Sequence, residues 1–393
     1  MSHRELFLNH VAQTSPAPIG IEMARAEGIY LFDVNGKKYV DAISGFSVAN
    51  IGHSHPQVVK AVQEQAAQYM HLIVYGEFIE QPQVAYAKQL TSLLPPFLNC
   101  VYFTNSGAEA TEGAMKLAKR VTNRSKIIAF HHSYHGSTQG ALSLMGDEYW
   151  RNAFRPLLPD IHHFYFNDEK VVDAIDETCC CVVMEMIQAE AGIIIPDKNW
   201  LKAIRKKCNE TGTLLIADEI QSGFGRTGSL FAFEQLNIVP DILLLGKALG
   251  GGMPLGAFIA DKQLMQALTH NPVLGHITTF GGHPVSCAAG NAALNVLLNN
   301  ELMIAVKHKE KMIQQILQHE KIKQLRTAGL WAAVSFENFE TNHAIIQQCI
   351  QNGIITDWFL FAGNCLRIAP PLSISEEELR ELCLTIVKSI EEA

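Results

Sequence analysis

Charged residues are scarce in this 393-residue chain, where Asp, Glu, Lys and Arg make up 18%. No run of Lys or Arg is long enough to follow a phosphate backbone, and the net charge is −8, so nucleic acid is not an expected partner. Uninterrupted apolar runs of membrane-spanning length are missing. The opening residues through Tyr30 hold Glu, His and Pro and no apolar core, so no secretory leader is expected there. No two of the nine cysteines are spaced C-x-x-C, which argues against a disulfide framework or a zinc site and for a cytoplasmic location. Cys179, Cys180 and Cys181 stand in one strand-like run, where alternation sends neighbours to opposite faces and makes them small buried hydrophobes. The paired histidines His53/His55 and His131/His135 lack a third ligand or a His-Glu-x-x-His helix, so no metal is expected.

What is present is a core. Apolar residues make up 48%, and the chain is too long for one simple core, so a large domain with a smaller one is expected. IYLFDVNGKKYVD (29–41) reads as a hairpin around a two-residue Asn35-Gly36 turn, and an amphipathic helix opens near Pro56. From CVVMEMIQ to GAFIAD (181–261), near-continuous apolar strands alternate with helices, the pattern of a parallel sheet covered on both faces. From about residue 300 the composition shifts to charged amphipathic helix, then strands (LWAAVSF, CLRIAP) and a terminal helix. This second α+β unit is expected to be completed by the N-terminal hairpin. The expected division is residues 1–50 and 291–393 in a small domain and 51–290 in the large one.

Ligands of parallel sheets collect at the carboxyl ends of strands, and three groups fall there. Glu185 and Asp218 close their apolar runs. Lys247, in ILLLGKALGGG, is the only charged residue between Asp241 and Asp261. A lysine so placed either caps a buried strand and reaches solvent, or is paired, deprotonated or used covalently. Ser106 and Glu109 form S-x-x-E, a capping box opening a helix, and the free N–H groups of Gly107, Ala108 and Glu109 make an anion seat at its positive end. GFGRTG (223–228) matches a dinucleotide fingerprint but lacks a strand directly before it and a long helix after it, so it reads as a loop. Arg367, flanked by apolar residues before Pro370-Pro371, is expected to point inward.

Eight segments, IGHSHP, NSGAEA, YHG, EMIQAEAG, ADEIQSGFGRTG, LLLGKALGGGMPLGA, TTFGGHP and LRIAPPL, occur in the order found in the class III (ornithine/acetylornithine-type) aminotransferases, and the chain resembles that family from about residue 20 to its end. The resemblance implies fold type I: a large domain with a mostly parallel, seven-stranded-type sheet sandwiched by helices, plus a small α+β domain from both termini. It implies pyridoxal 5'-phosphate as cofactor and a homodimer with active sites at the subunit interface. Lys247 resembles the Schiff-base lysine and proton shuttle, and Asp218 the carboxylate paired with the pyridine nitrogen. Ser106, Gly107 and Ala108 match the phosphate seat, Tyr134 the aromatic stacked on the ring, Gln221 the residue near the phenolic oxygen, and Thr279 the threonine that reaches the phosphate from the partner subunit. Arg367 resembles the arginine that grips a substrate carboxylate, and Glu190 the acid that pairs with it and swings away. Glu185 matches a supporting acid.

Some positions depart from the family. Met186 and Ala189 replace a frequent proline and glycine without removing a functional group. Phe46 lacks the hydroxyl that ornithine enzymes use, and Ser137 stands where acetylornithine enzymes commonly have arginine. With Tyr75, Phe46 and Ser137 fall in the loops that choose the substrate. The expected activity is transfer of an ω-amino group from an acetylornithine- or ornithine-like donor to 2-oxoglutarate. The alternatives are another class III activity (4-aminobutyrate, lysine or diamine transaminase, or semialdehyde aminomutase) and a silent cofactor-binding protein.

Overall fold

Residues 2–299 and 301–393 are described by a computed structural model. The chain enters through β1 (Met23–Glu27), β2 (Tyr30–Asp33) and β3 (Lys38–Asp41), an antiparallel meander. The turn between β2 and β3 is one residue longer than the two-residue form expected around Asn35-Gly36. Asp33 N–H still bonds Lys37 O, leaving 34–36 as the loop, with Gly36 at φ 82°. The Asp33 carboxylate explains the preference, since its Oδ1 accepts from the N–H groups of both Asn35 and Lys37.

The central sheet holds β4 (Cys100–Thr104), β5 (Lys126–Phe130), β6 (Ile161–Phe164), β7 (Cys179–Glu185), β8 (Leu214–Asp218), β9 (Ile242–Leu245) and β10 (Gly256–Ala260), in the order β4-β10-β9-β8-β7-β5-β6. All pairs are parallel except those of β10, which runs antiparallel to β4 and β9. Every residue of β7, β9 and β10 is buried, as strands covered on both faces require. Filling such a position with Leu or Ile contributes about 1.5–3 kcal/mol each. One cysteine expectation fails here. Lys126 pairs with Cys179 and Ile127 with Cys181, so Cys180 is an extra residue in a bulge. The bulge turns Cys180 and Cys181 to the same side, with their Sγ atoms 3.6 Å apart.

Two helices on this sheet have legible ends. Gly107–Thr122 starts on the Ser106 hydroxyl, which accepts from Glu109 N–H, and ends at Asn123 in the left-handed region; Ala110, Ala114, Leu117 and Ala118 face inward. Lys198–Thr211 starts on the Asp197 carboxylate and ends at Gly212, φ 67°. The remaining strands are β11 (Gln324–Thr327), β12 (Ala332–Ser335), β13 (Ile354–Ile355), β14 (Trp358–Phe359) and β15 (Ala362–Ile368). β13 joins the N-terminal meander by pairing with β3, so both ends of the chain share one sheet; the other four form β11-β12-β15-β14. The buried guanidinium of Arg226, in the GFGRTG loop, ties the parts together by donating to Leu330 O, Pro370 O, Ser44 Oγ and Asn50 Oδ1. No helix among the described residues is long and apolar enough to cross a membrane.

Candidate active site

Parallel register puts the two strand-end acids side by side, because Glu185 pairs with Asp218 across β7 and β8. Lys247 follows β9 by two residues in the left-handed region (φ 49°), a conformation that costs a side-chain-bearing residue energy and concentrates at functional sites. Its amine donates to Gln221 Oε1 at 2.7 Å. Desolvation pulls the Lys247 pKa below its ordinary value; Arg367 adds to this, while Glu190, Asp218 and Glu185 oppose it. The lysine is partly enclosed and paired, not a strand cap reaching freely into water.

Behind Asp218 stands a group the sequence reading did not use. His135 Nδ1 lies 2.7 Å from Asp218 Oδ2, with both side chains buried. Burial alone would lower the imidazole's pKa, but the Asp218 hydrogen bond and charge, with the charge of Glu185, raise it. Burial pushes the Glu185 carboxyl up to about 8. His135 was legible only as half of a failed zinc pair. Its loop had to be laid over β8 before its partner could be seen.

The anion seat is partly as expected. The Glu109 N–H is consumed by Ser106 Oγ, and the Glu109 carboxylate reaches Asn105 N–H at 2.8 Å instead of closing the box on Ser106. The N–H groups of Gly107 and Ala108 remain without a partner among the described residues, being orphan donors of a helix start. Glu112, one turn further, accepts from Thr138 Oγ1 and the N–H groups of Gly140 and Ala141, pinning the loop that carries Tyr134 over this end of the helix. The Tyr134 hydroxyl lies 3.0 Å from Ser137 Oγ.

These groups line a cavity of about 250 Å³ that includes Ser106, Gly107, Ala108, Tyr134, Asp218 and Lys247. An outer cavity of about 810 Å³ holds Phe46, Glu190, Asp357 and Arg367, and it shares Tyr134 and Lys247 with the inner one. Arg367 is buried, as expected, and forks onto Glu190, with Nη1–Oε1 and Nη2–Oε2 both 2.8 Å. Its Nε donates to Asp357 Oδ1 at 3.0 Å, a partner no motif announced. Burial opposes ionisation of Glu190, but Arg367 outweighs it and lowers the carboxyl; burial raises Asp357 to about 6. Phe46 is half exposed, its ring 5.4 Å from the guanidinium. Thr279 is exposed and lines neither of these two cavities; Tyr75, partly buried in a turn, is not among their lining residues either.

The inner cavity fits a phosphate-bearing, hydroxylated pyridine aldehyde. It is lined by two free helix-start N–H groups, a buried and unpartnered Gln221 Nε2, a buried carboxylate and an amine. The cradle is also cut to backbone. A Cβ on Gly107 would lie 2.7 Å from Ile220 Cδ1, and one on Gly136 2.5 Å from Ala108 Cβ.

Residues 11–390 match the family model of the class-III aminotransferases. The chain belongs to that family. As a class III aminotransferase it is a pyridoxal-phosphate enzyme. It is 38% identical over 364 residues to an acetylornithine aminotransferase of Methanopyrus kandleri, covering 92% of each chain. It is 38% identical over 376 residues to a putrescine aminotransferase of Pectobacterium atrosepticum, covering 91% of this chain and 79% of the relative. Among solved structures, the ornithine aminotransferase of Toxoplasma gondii, described with pyridoxal phosphate at its active site, superposes with a TM-score of 0.92 at 29% identity, over 99% of this chain and 93% of that one.

Proposed function

We propose that this aminotransferase moves an ω-amino group from an acetylornithine- or ornithine-like donor to 2-oxoglutarate, with Lys247 as the covalent attachment point and proton carrier. The observation that carries the reading is the seat of Glu190. Its carboxylate sits where a substrate carboxylate would, gripped by both Nη atoms of Arg367 and by Leu360 N–H at 2.9 Å. With Glu190 in place the guanidinium is neutralised, which suits a donor whose reacting end carries only an amine. When the Glu190 side chain swings out, three donors converge on an empty carboxylate site, which suits a dicarboxylic acceptor. The relatives named for acetylornithine and putrescine act on donors of this ω-amino kind, which supports the donor class.

Bound pyridoxal phosphate supplies an aldehyde that takes up amines and a ring that accepts the electron pair left on the substrate carbon. The residues do the rest. Gly107 and Ala108 N–H groups would hold the phosphate, and the partner subunit's Thr279 would complete that grip. Asp218, steadied by His135, would keep a proton on the ring nitrogen. Tyr134 would pack on the ring, and Gln221 would hold the phenolic oxygen. The Lys247 amine, whose enclosure eases its deprotonation, would carry a proton to and from the substrate carbon.

A donor screen with 2-oxoglutarate tests this, using ornithine, N-acetylornithine, lysine, 4-aminobutyrate, putrescine and β-alanine and reading glutamate. Glutamate from at least one ω-amine is expected. No glutamate from any donor contradicts the reading.

A further inference from the structure

Glu190 can serve as a movable stand-in only if Arg367 stays aimed when it leaves. A guanidinium that followed Glu190, or slumped into the outer cavity, would present no fork to an acceptor. Something other than Glu190 must fix it. The Nη1–Nη2 edge of Arg367 is fully taken by Glu190, so any permanent holder has to work from the Nε side.

Asp357 is on that side. Its Oδ1 accepts from Arg367 Nε at 3.0 Å, and its backbone oxygen accepts from Arg367 N–H at 2.9 Å. The neighbouring Thr356 hydroxyl donates to Arg367 O at 2.6 Å, and Trp358 O accepts from Nη2 at 3.1 Å. The Phe359 ring lies 4.3 Å from the guanidinium carbon. Asp357 therefore rides on the same β14–β15 ribbon as Arg367 and moves with it. Glu190 belongs to a separate loop after β7, attached to this ribbon by its side chain and by one backbone bond from Phe361 N–H to its carbonyl.

Resting on the proposed exchange of Glu190 for an acceptor carboxylate, we infer that Asp357 is the positioning residue of that exchange. It is the fixed half of a two-carboxylate clamp that keeps the Arg367 fork aimed while Glu190 comes and goes. It touches no reacting atom. Its effect falls on acceptors with a carboxylate at the reacting end and spares the donor half of the cycle, in which Glu190 itself holds Arg367.

The test compares Asp357→Ala, Asp357→Asn and Arg367→Lys in the cofactor-loaded enzyme, with 2-oxoglutarate and with succinic semialdehyde, which has no carboxylate at its reacting end. Losing a charge-assisted anchor is expected to raise the KM for 2-oxoglutarate about tenfold or more in Asp357→Ala. The rate of the donor half-reaction and the KM for succinic semialdehyde should stay within about twofold of the parent. Asp357→Asn, which keeps an oxygen acceptor for Nε, should recover most of the loss. If Asp357→Ala leaves the 2-oxoglutarate KM unchanged while Arg367→Lys raises it, the anchor is refuted and the carboxylate role of Arg367 stands. If Arg367→Lys also leaves it unchanged, the acceptor reading and the anchor fall together. A loss shared equally by donor, succinic semialdehyde and 2-oxoglutarate reactions would mark a merely structural residue and overturn the inference.

Discussion

Asp218, His135 and Glu185 make a chain of titratable groups in which only the first was assigned chemistry from sequence. Their order follows from solvation. Asp218 accepts a hydrogen bond from an imidazole whose pKa its charge raises, whereas Glu185 has one oxygen without any partner and is held neutral by burial up to about 8. A carboxyl whose pKa is raised on folding stabilises the fold fully only below its unfolded value, and the contribution is lost as pH rises to the folded value. For Glu185 that window runs from about 4 in the unfolded chain to about 8. Denaturation of the cofactor-free protein should therefore show wild type losing stability relative to Glu185→Gln across this window, by at most about 1.4 kcal/mol per pH unit. Parallel curves for the two proteins would mean that Glu185 is ionised when folded.

At the scale of elements, the site is a meeting of strand ends with one helix start, and its tolerance is set by backbone contacts. Gly136, at φ 128°, lies against the first turn of helix Gly107–Thr122, and a Cβ there would meet Ala108 at 2.5 Å. Gly136→Ala should lift the Tyr134 loop off the phosphate seat and weaken cofactor retention about tenfold, read as faster loss of bound pyridoxal phosphate on dialysis. Unchanged retention would show that the loop does not need this approach. The elements most legible in the sequence were those with local signals: the apolar run ending at Lys247, the Ser106 cap, the helix opened by Pro56. What escaped was non-local. Asp357 and Arg367 are ten residues apart and meet only because β14 and β15 pair. The Cys180 bulge is a register event between strands, invisible to a period-two reading of one of them.

For the whole molecule, the exposed Thr279, outside both cavities of its own chain, fits the proposal that it serves a second subunit. The test is complementation. In a dimer of one Lys247→Ala chain with one Thr279→Ala chain, one site has neither change and the other has both. Co-refolding the two variants in equal amounts should restore about a quarter of wild-type activity, since half the dimers are mixed and each has one intact site. Activity no greater than the average of the separate variants would place Thr279 in its own subunit's site or outside it.

Lys247, enclosed between the two cavities and bonded to Gln221, is the proposed covalent anchor of the cofactor. Borohydride reduction of the pyridoxal-phosphate-loaded enzyme, followed by peptide mapping, tests it most directly. One modified peptide is expected, carrying the cofactor on Lys247, and none from Lys247→Ala. A label on another lysine, or one retained by the alanine variant, would contradict it.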